Sequence, residues 1–168
     1  MQFELRHVLD RPPDIAFGLV TSSELETELD AELRLDKTLL DRREHDDGII
    51  QRWRVIERGD KPAFIQKIVG PAFEYTLEHR TERSRRRTTW KVTPSVGADR
   101  VRAEGYELID AHEDPGRSVR VVWGVVEVDA PVFGKRLADF IGAEVEKGYA
   151  RAMPALERWV RAASDGSP

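Results

Sequence analysis

Apolar side chains recur at every second position through much of residues 2–129 and at every third or fourth position over 131–160. The chain therefore predicts a run of strands closed by one long amphipathic helix. Residues 2–10 place Phe3, Leu5, His7 and Leu9 on one face and Gln2, Glu4, Arg6 and Asp10 on the other, as a half-buried strand does. Arg11-Pro12-Pro13 ends it, and proline followed by Asp14 suits the first turn of a short helix over 13–20 that buries Ile15, Phe17, Leu19 and Val20. Thr21-Ser22-Ser23 supplies an N-cap, with Glu26 in capping-box position from Ser23, for a second short helix to about residue 30. Strands over 33–43 and 48–58 flank the hairpin signal Asp46-Asp47-Gly48, and Ile49, Gln51, Trp53 and Val55 share the inner face. Apolar spacing over 61–70, ended by Gly70-Pro71, predicts a short helical insertion.

Residues 73–80 alternate most cleanly and send Phe73, Tyr75, Leu77 and His79 inward. A basic tip over 83–87 leads into a strand with Thr88, Trp90 and Val92 on one face. Two more strands cover 101–111 and 118–129, separated by the turn Glu113-Asp114-Pro115-Gly116. In the second of them Glu127 and Asp129 face water. Val122, Gly124, Val126 and Val128 then point inward, Trp123 and Val125 lie partly outside, and Arg120 sits at a rim. In the first, unbroken alternation brings Glu107 inward beside Val101, Ala103, Gly105 and Ile109, whereas a bulge near Gly105 would substitute Tyr106 and Leu108.

The helix over 131–160 carries Leu137, Phe140, Ile141, Val145, Tyr149, Met153, Leu156 and Val160 on one face, and at about 1.5 Å per residue it spans roughly 45 Å. Gly142, Gly148 and Pro154 interrupt it, and Pro154 should bend it. So wide an apolar face requires a sheet that curls around it. The expected fold is α+β: a seven-stranded curved antiparallel sheet, two short N-terminal helices and a long C-terminal helix, with a cavity between sheet and helix. The first half of the helix, at Leu137, Phe140, Ile141 and Glu144, lines that cavity; Leu156, Trp159 and Val160 are plain packing.

A length of 168 residues suits one domain, read here as 1–163 with a disordered tail over 164–168. The net charge of -4 argues against a nucleic-acid partner, and the absence of cysteine removes disulfides, thiolate metal sites and cysteine nucleophiles. No signal-peptide core and no stretch apolar enough to span a bilayer stands in the sequence, so a cytoplasmic location without stable membrane insertion is expected. Walker-type loops, dinucleotide glycine fingerprints and His-Glu-x-x-His patterns are missing, and no cofactor or metal is expected.

Pro62-Ala63-Phe64-Ile65-Gln66-Lys67-Ile68-Val69-Gly70 and Val126-Glu127-Val128-Asp129-Ala130-Pro131-Val132-Phe133-Gly134-Lys135 carry a family resemblance. The chain resembles the START-like (SRPBCC, helix-grip) superfamily, and these two motifs resemble an uncharacterised bacterial branch of it. The resemblance covers nearly the whole chain and implies an apolar small molecule held between sheet and helix. It carries over no catalytic residue, because no polyketide-cyclase or hydrolase signature matches.

The candidate ligand-binding residues are Trp53, Tyr75, His79, Trp90, Glu107, Leu137, Phe140, Ile141 and Glu144. Aromatic walls and a few polar fixtures in an apolar pocket suit binding or carriage of a lipid-like or polyketide-like molecule. His79 or Glu107, as acid or base, would suit a cyclase or dehydratase instead, Glu107 as a desolvated carboxylate with a raised pKa. The basic tip or Trp123 would suit a protein-interaction module. Each feature also has a plainer reading: hydrogen-bonded core histidines, aromatics that fill the interior and a solvated charged turn. The oligomeric state is left open.

Overall fold

Alternation makes each strand two-faced, and short turns such as Asp46-Asp47 favour antiparallel pairing of the strands they join. A computed structural model describes residues 1–57, 66, 73–131 and 134–162. Among them the order is β1 (Gln2–Leu9), α1 (Pro13–Val20), α2 (Ser23–Leu33), β2 (Leu35–His45), β3 (Gly48–Glu57), β4 (Phe73–Glu82), β5 (Arg87–Pro94), a 3-10 turn (Ala98–Arg100), β6 (Val101–Ala111), β7 (Ser118–Val128) and α3 (Gly134–Ala162). The seven described strands form one curved antiparallel sheet in the order β1-β7-β6-β5-β4-β3-β2. The chain thus starts at one edge, crosses through α1 and α2 to the other, and returns hairpin by hairpin. Helix α3 then lies on β7 and β1 and against α1 and α2, a helix-grip arrangement.

Local differences from the expected elements have local causes. Helix α2 runs to Leu33 because Arg34 adopts the left-handed conformation (φ 55°) that closes a helix C-terminus. Its N-cap is Ser22, whose hydroxyl accepts from the Leu25 N–H at 3.3 Å. That start one residue earlier releases Glu26 from a capping box to bind Lys37. Ile15 is exposed, since α1 turns Ala16 and Phe17 inward instead. Helix α3 is assigned from Gly134, whose N–H bonds the Ala130 carbonyl at 2.9 Å, and it continues through Pro154. The insertion expected over 61–70 lies outside the described residues apart from Gln66, and so does the tail at 164–168.

The β6–β7 register is unbroken from Val101↔Val128 to Ala111↔Ser118, so Glu107 points inward and no bulge intervenes. One inner row runs Gln51, His79, Trp90, Gly105, Gly124 and Phe3 across six strands. The two adjacent glycines leave room for the Trp90 indole, which stacks with Phe3 at 6.4 Å and 19°. A methyl group on Gly124 would come 2.5 Å from Phe3 and 2.6 Å from Trp90. We therefore expect Gly124→Ala to lose about 1–3 kcal/mol in urea denaturation through overpacking.

Two packing regimes meet along α3. Its C-terminal turns are dry: Leu156 and Val160 are each 2% exposed and pack with Phe17, Leu25, Leu9 and Ile109, as plain packing beyond Pro154 requires. Its N-terminal turns touch the sheet more sparsely, with Ala138 against Ala103 and Val126. Small side chains there leave space between the layers.

A candidate ligand chamber

That space is a cavity of about 950 Å³ between the first half of α3 and the β3–β7 part of the sheet. Curvature holds the layers apart, and the hairpin ends near Pro94 and Arg100, together with Leu33 and Leu35, border it. Tyr75, Trp90, Leu137, Phe140, Ile141 and Glu144 are brought together on its walls. Trp53, His79 and Glu107 point to the same side of the sheet but are not among its lining residues.

Glu107 belongs to a buried ion pair. Arg120 Nε and Nη2 each donate to one Glu107 oxygen at 2.8 Å, and Nη1 lies 3.6 Å from the Met153 sulfur. The guanidinium also sits 5.2 Å from the centre of the Tyr149 ring. Arg120 is therefore not at a rim: its side chain is 6% exposed. The alternation that sends Val122 and Gly124 inward also turns Arg120 inward, and a partner on the adjacent strand of the same hairpin offsets the desolvation. Burial works against the Arg120 charge, and the field and hydrogen bonds of Glu107 outweigh it, raising the Arg120 pKa. Glu107, expected as a desolvated inward carboxylate, points inward and is matched there by an arginine. Burial, then Glu107, raises the Tyr149 phenol, while burial, then Arg120, lowers the nearby His7.

A second buried charge cluster was not anticipated. Lys37, inward on β2 opposite Val55, is bound by Glu26 and lies 3.2 Å from Asp30, and its ammonium sits 4.5 Å from the centre of the Trp53 ring. The one signal in the sequence was its two-residue spacing from Leu35. Trp53 thus packs under a lysine, and His79 meets its edge at 5.1 Å. Burial first, and Lys37 second, push His79 down to about 4, so the imidazole is neutral at pH 7. Burial, with Glu57 and Asp30 behind it, pushes the Tyr75 phenol up and keeps it protonated.

Charged residues at the cavity edge include Glu57, Asp99, Arg100, Glu144, Lys147 and Arg151. Lys147 binds Glu144 at 2.8 Å. Among the described residues no group of three or more His, Asp or Glu is placed to hold a metal ion, and no helix is long and apolar enough to cross a membrane. The basic turn is partly tied down: Arg86 reaches Asp14 at 2.9 Å and Ser84 bonds Asp47. On the opposite face of the sheet Trp123 stacks on Tyr106 at 5.6 Å.

A family model described as "Protein of unknown function (DUF2505)" matches residues 4–160, and the chain belongs to that family. A search of curated protein sequences finds no match. Among solved structures, a protein from Thermus thermophilus, TTHA0849, is similar with a TM-score of 0.67 and 17% identity, over 98% of this chain and 99% of that one. The Zhui aromatase/cyclase from Streptomyces sp. R1128 has a TM-score of 0.67 and 13% identity, over 96% and 93%. A START superfamily protein from Mycobacterium smegmatis has a TM-score of 0.61 and 17% identity, over 95% and 97%. Identities this low establish the START-like fold and nothing finer.

Proposed function

With membership of that family as the premise, we propose that this protein binds and carries an apolar small molecule, lipid-like or polyketide-like, between the curved sheet and the first half of α3. The observation that carries this reading is the cavity itself. Interiors normally close-pack, and about 950 Å³ lined mainly by aliphatic and aromatic side chains is the size and character of a small-molecule chamber. Tyr75, Trp90, Phe140, Leu137 and Ile141 form its walls, Glu144 stands at its edge, and His79, Trp53 and Glu107 lie on the same side of the sheet outside it. The fold is shared with a START protein and an aromatase/cyclase, which supports a ligand role. An acid–base role for Glu107 gains no support from its geometry, since both oxygens are held by Arg120.

Filling the chamber tests this. A neutral naphthylamine dye should bind the purified protein with a blue-shifted, enhanced emission. Ile141→Trp should lower its affinity at least about tenfold with the far-ultraviolet spectrum unchanged. Equal dye binding by the two proteins would mean that the dye sits elsewhere and the chamber is not the binding site.

A further inference from the structure

Building on the chamber reading, we infer that the bound molecule carries one anionic head group of carboxylate size, held at a notch that Gly148 and Arg151 make in the wall of α3, with its apolar body inside. Gly148 stands in the middle of a helix, where glycine is less favourable than alanine by about 1 kcal/mol. Gly142 has a packing reason, because a side chain there would collide with the Met1 sulfur. Gly148 has none: a Cβ at that position would meet nothing within 4 Å, and the space it leaves open belongs to the cavity wall.

Arg151 stands three residues further on, nearly one helical turn, and borders the same space. It is exposed and has no ion-pair partner among the described residues. Its neighbours on the cavity edge are already engaged, Lys147 by Glu144 at 2.8 Å and Arg100 by Asp99 at 3.9 Å. A guanidinium in this position can bond a carboxylate through two parallel N–H groups. Beside Tyr75 such a group is disfavoured, because the Glu57 carboxylate already acts on that phenol. An unpaired carboxylate inside the apolar part would lose several kcal/mol of hydration with no compensation. The chemistry therefore fixes an orientation, with the anion at the notch and the neutral phenol facing the buried portion.

The test compares two ligand pairs that differ only in the head group: hexadecanoate with hexadecanol, and pyrenebutyrate with pyrenebutanol. Each is titrated against the neutral dye at pH 8. At least one acid should bind about tenfold more tightly than its alcohol. Arg151→Gln should bring that acid to the level of the alcohol and leave the alcohol unchanged, and Arg151→Lys should keep most of the preference. Gly148→Leu should weaken the acid at least about fivefold while raising the melting temperature, which separates a filled notch from a damaged fold. Equal binding of acid and alcohol in both pairs, or a preference that survives Arg151→Gln, would overturn the head-group assignment and leave the chamber standing. Failure of the dye and all four ligands to bind would overturn the chamber reading and this inference with it.

Discussion

Arg120→Met is expected to destabilise the protein by about 3–5 kcal/mol, because it leaves the Glu107 carboxylate buried without its partner. For a chain of 168 residues that corresponds to a fall in melting temperature of roughly 10 °C. Glu107→Leu should have a similar effect by stranding the guanidinium against Tyr149 and Met153. Combining the two changes should return stability to within about 1–2 kcal/mol of the native protein, since an apolar pair of similar volume carries no desolvation cost. Urea denaturation of the four proteins closes the cycle. A double variant as unstable as the sum of the singles would show that the pair supports more than its own charges, for instance the orientation of Tyr149.

Stability should also fall as pH is lowered from about 6.5 towards 4 in wild-type protein, and this fall should be much smaller in His79→Leu. The folded chain holds His79 near 4 while the unfolded chain has its ordinary value of 6.5. Between those values the unfolded state binds a proton that the folded state refuses, so acidification favours unfolding. The contribution is fully present above 6.5 and fully lost below about 4, with a size of order 3 kcal/mol. His7, also lowered by burial, adds in the same direction. Lys37 faces His79 and opposes its protonation, so Lys37→Met should bring the folded-state value closer to the unfolded one and make the His79-dependent fall smaller. A wild-type curve flat from 7 to 5 would mean that the imidazole charges inside the fold without penalty.

Most of the framework was legible because it rests on periodicity. Residues 73–80 alternate without interruption, and β4 forms there with Tyr75 and His79 inward. Helix α1 occupies the residues read from Pro13 and Asp14. What escaped were the partners of buried charges. Arg120 was set at a rim because an unpaired arginine does not belong in a core, and its partner lies 13 residues away across a hairpin. Lys37 was missed because two of the carboxylates around it come from α2, a different layer. Among the candidate site residues, the aliphatic and aromatic positions of α3 and β5 reach the chamber, whereas Trp53, His79 and Glu107 lie on the same side of the sheet away from its walls.

Among the described residues the chain's own pattern determined seven strands, two short helices and one long helix, because each is selected by spacing that neighbouring residues alone can satisfy. The unbroken inward phase of Glu107, the close approach of Trp90 to Gly105 and Gly124, and the open space beside Gly148 were decided by the tertiary structure. The curl of the sheet holds the first half of α3 away from it, while α1 and α2 close against the second half. Only that difference in separation makes one end of the same helix a chamber wall and the other end a dry core.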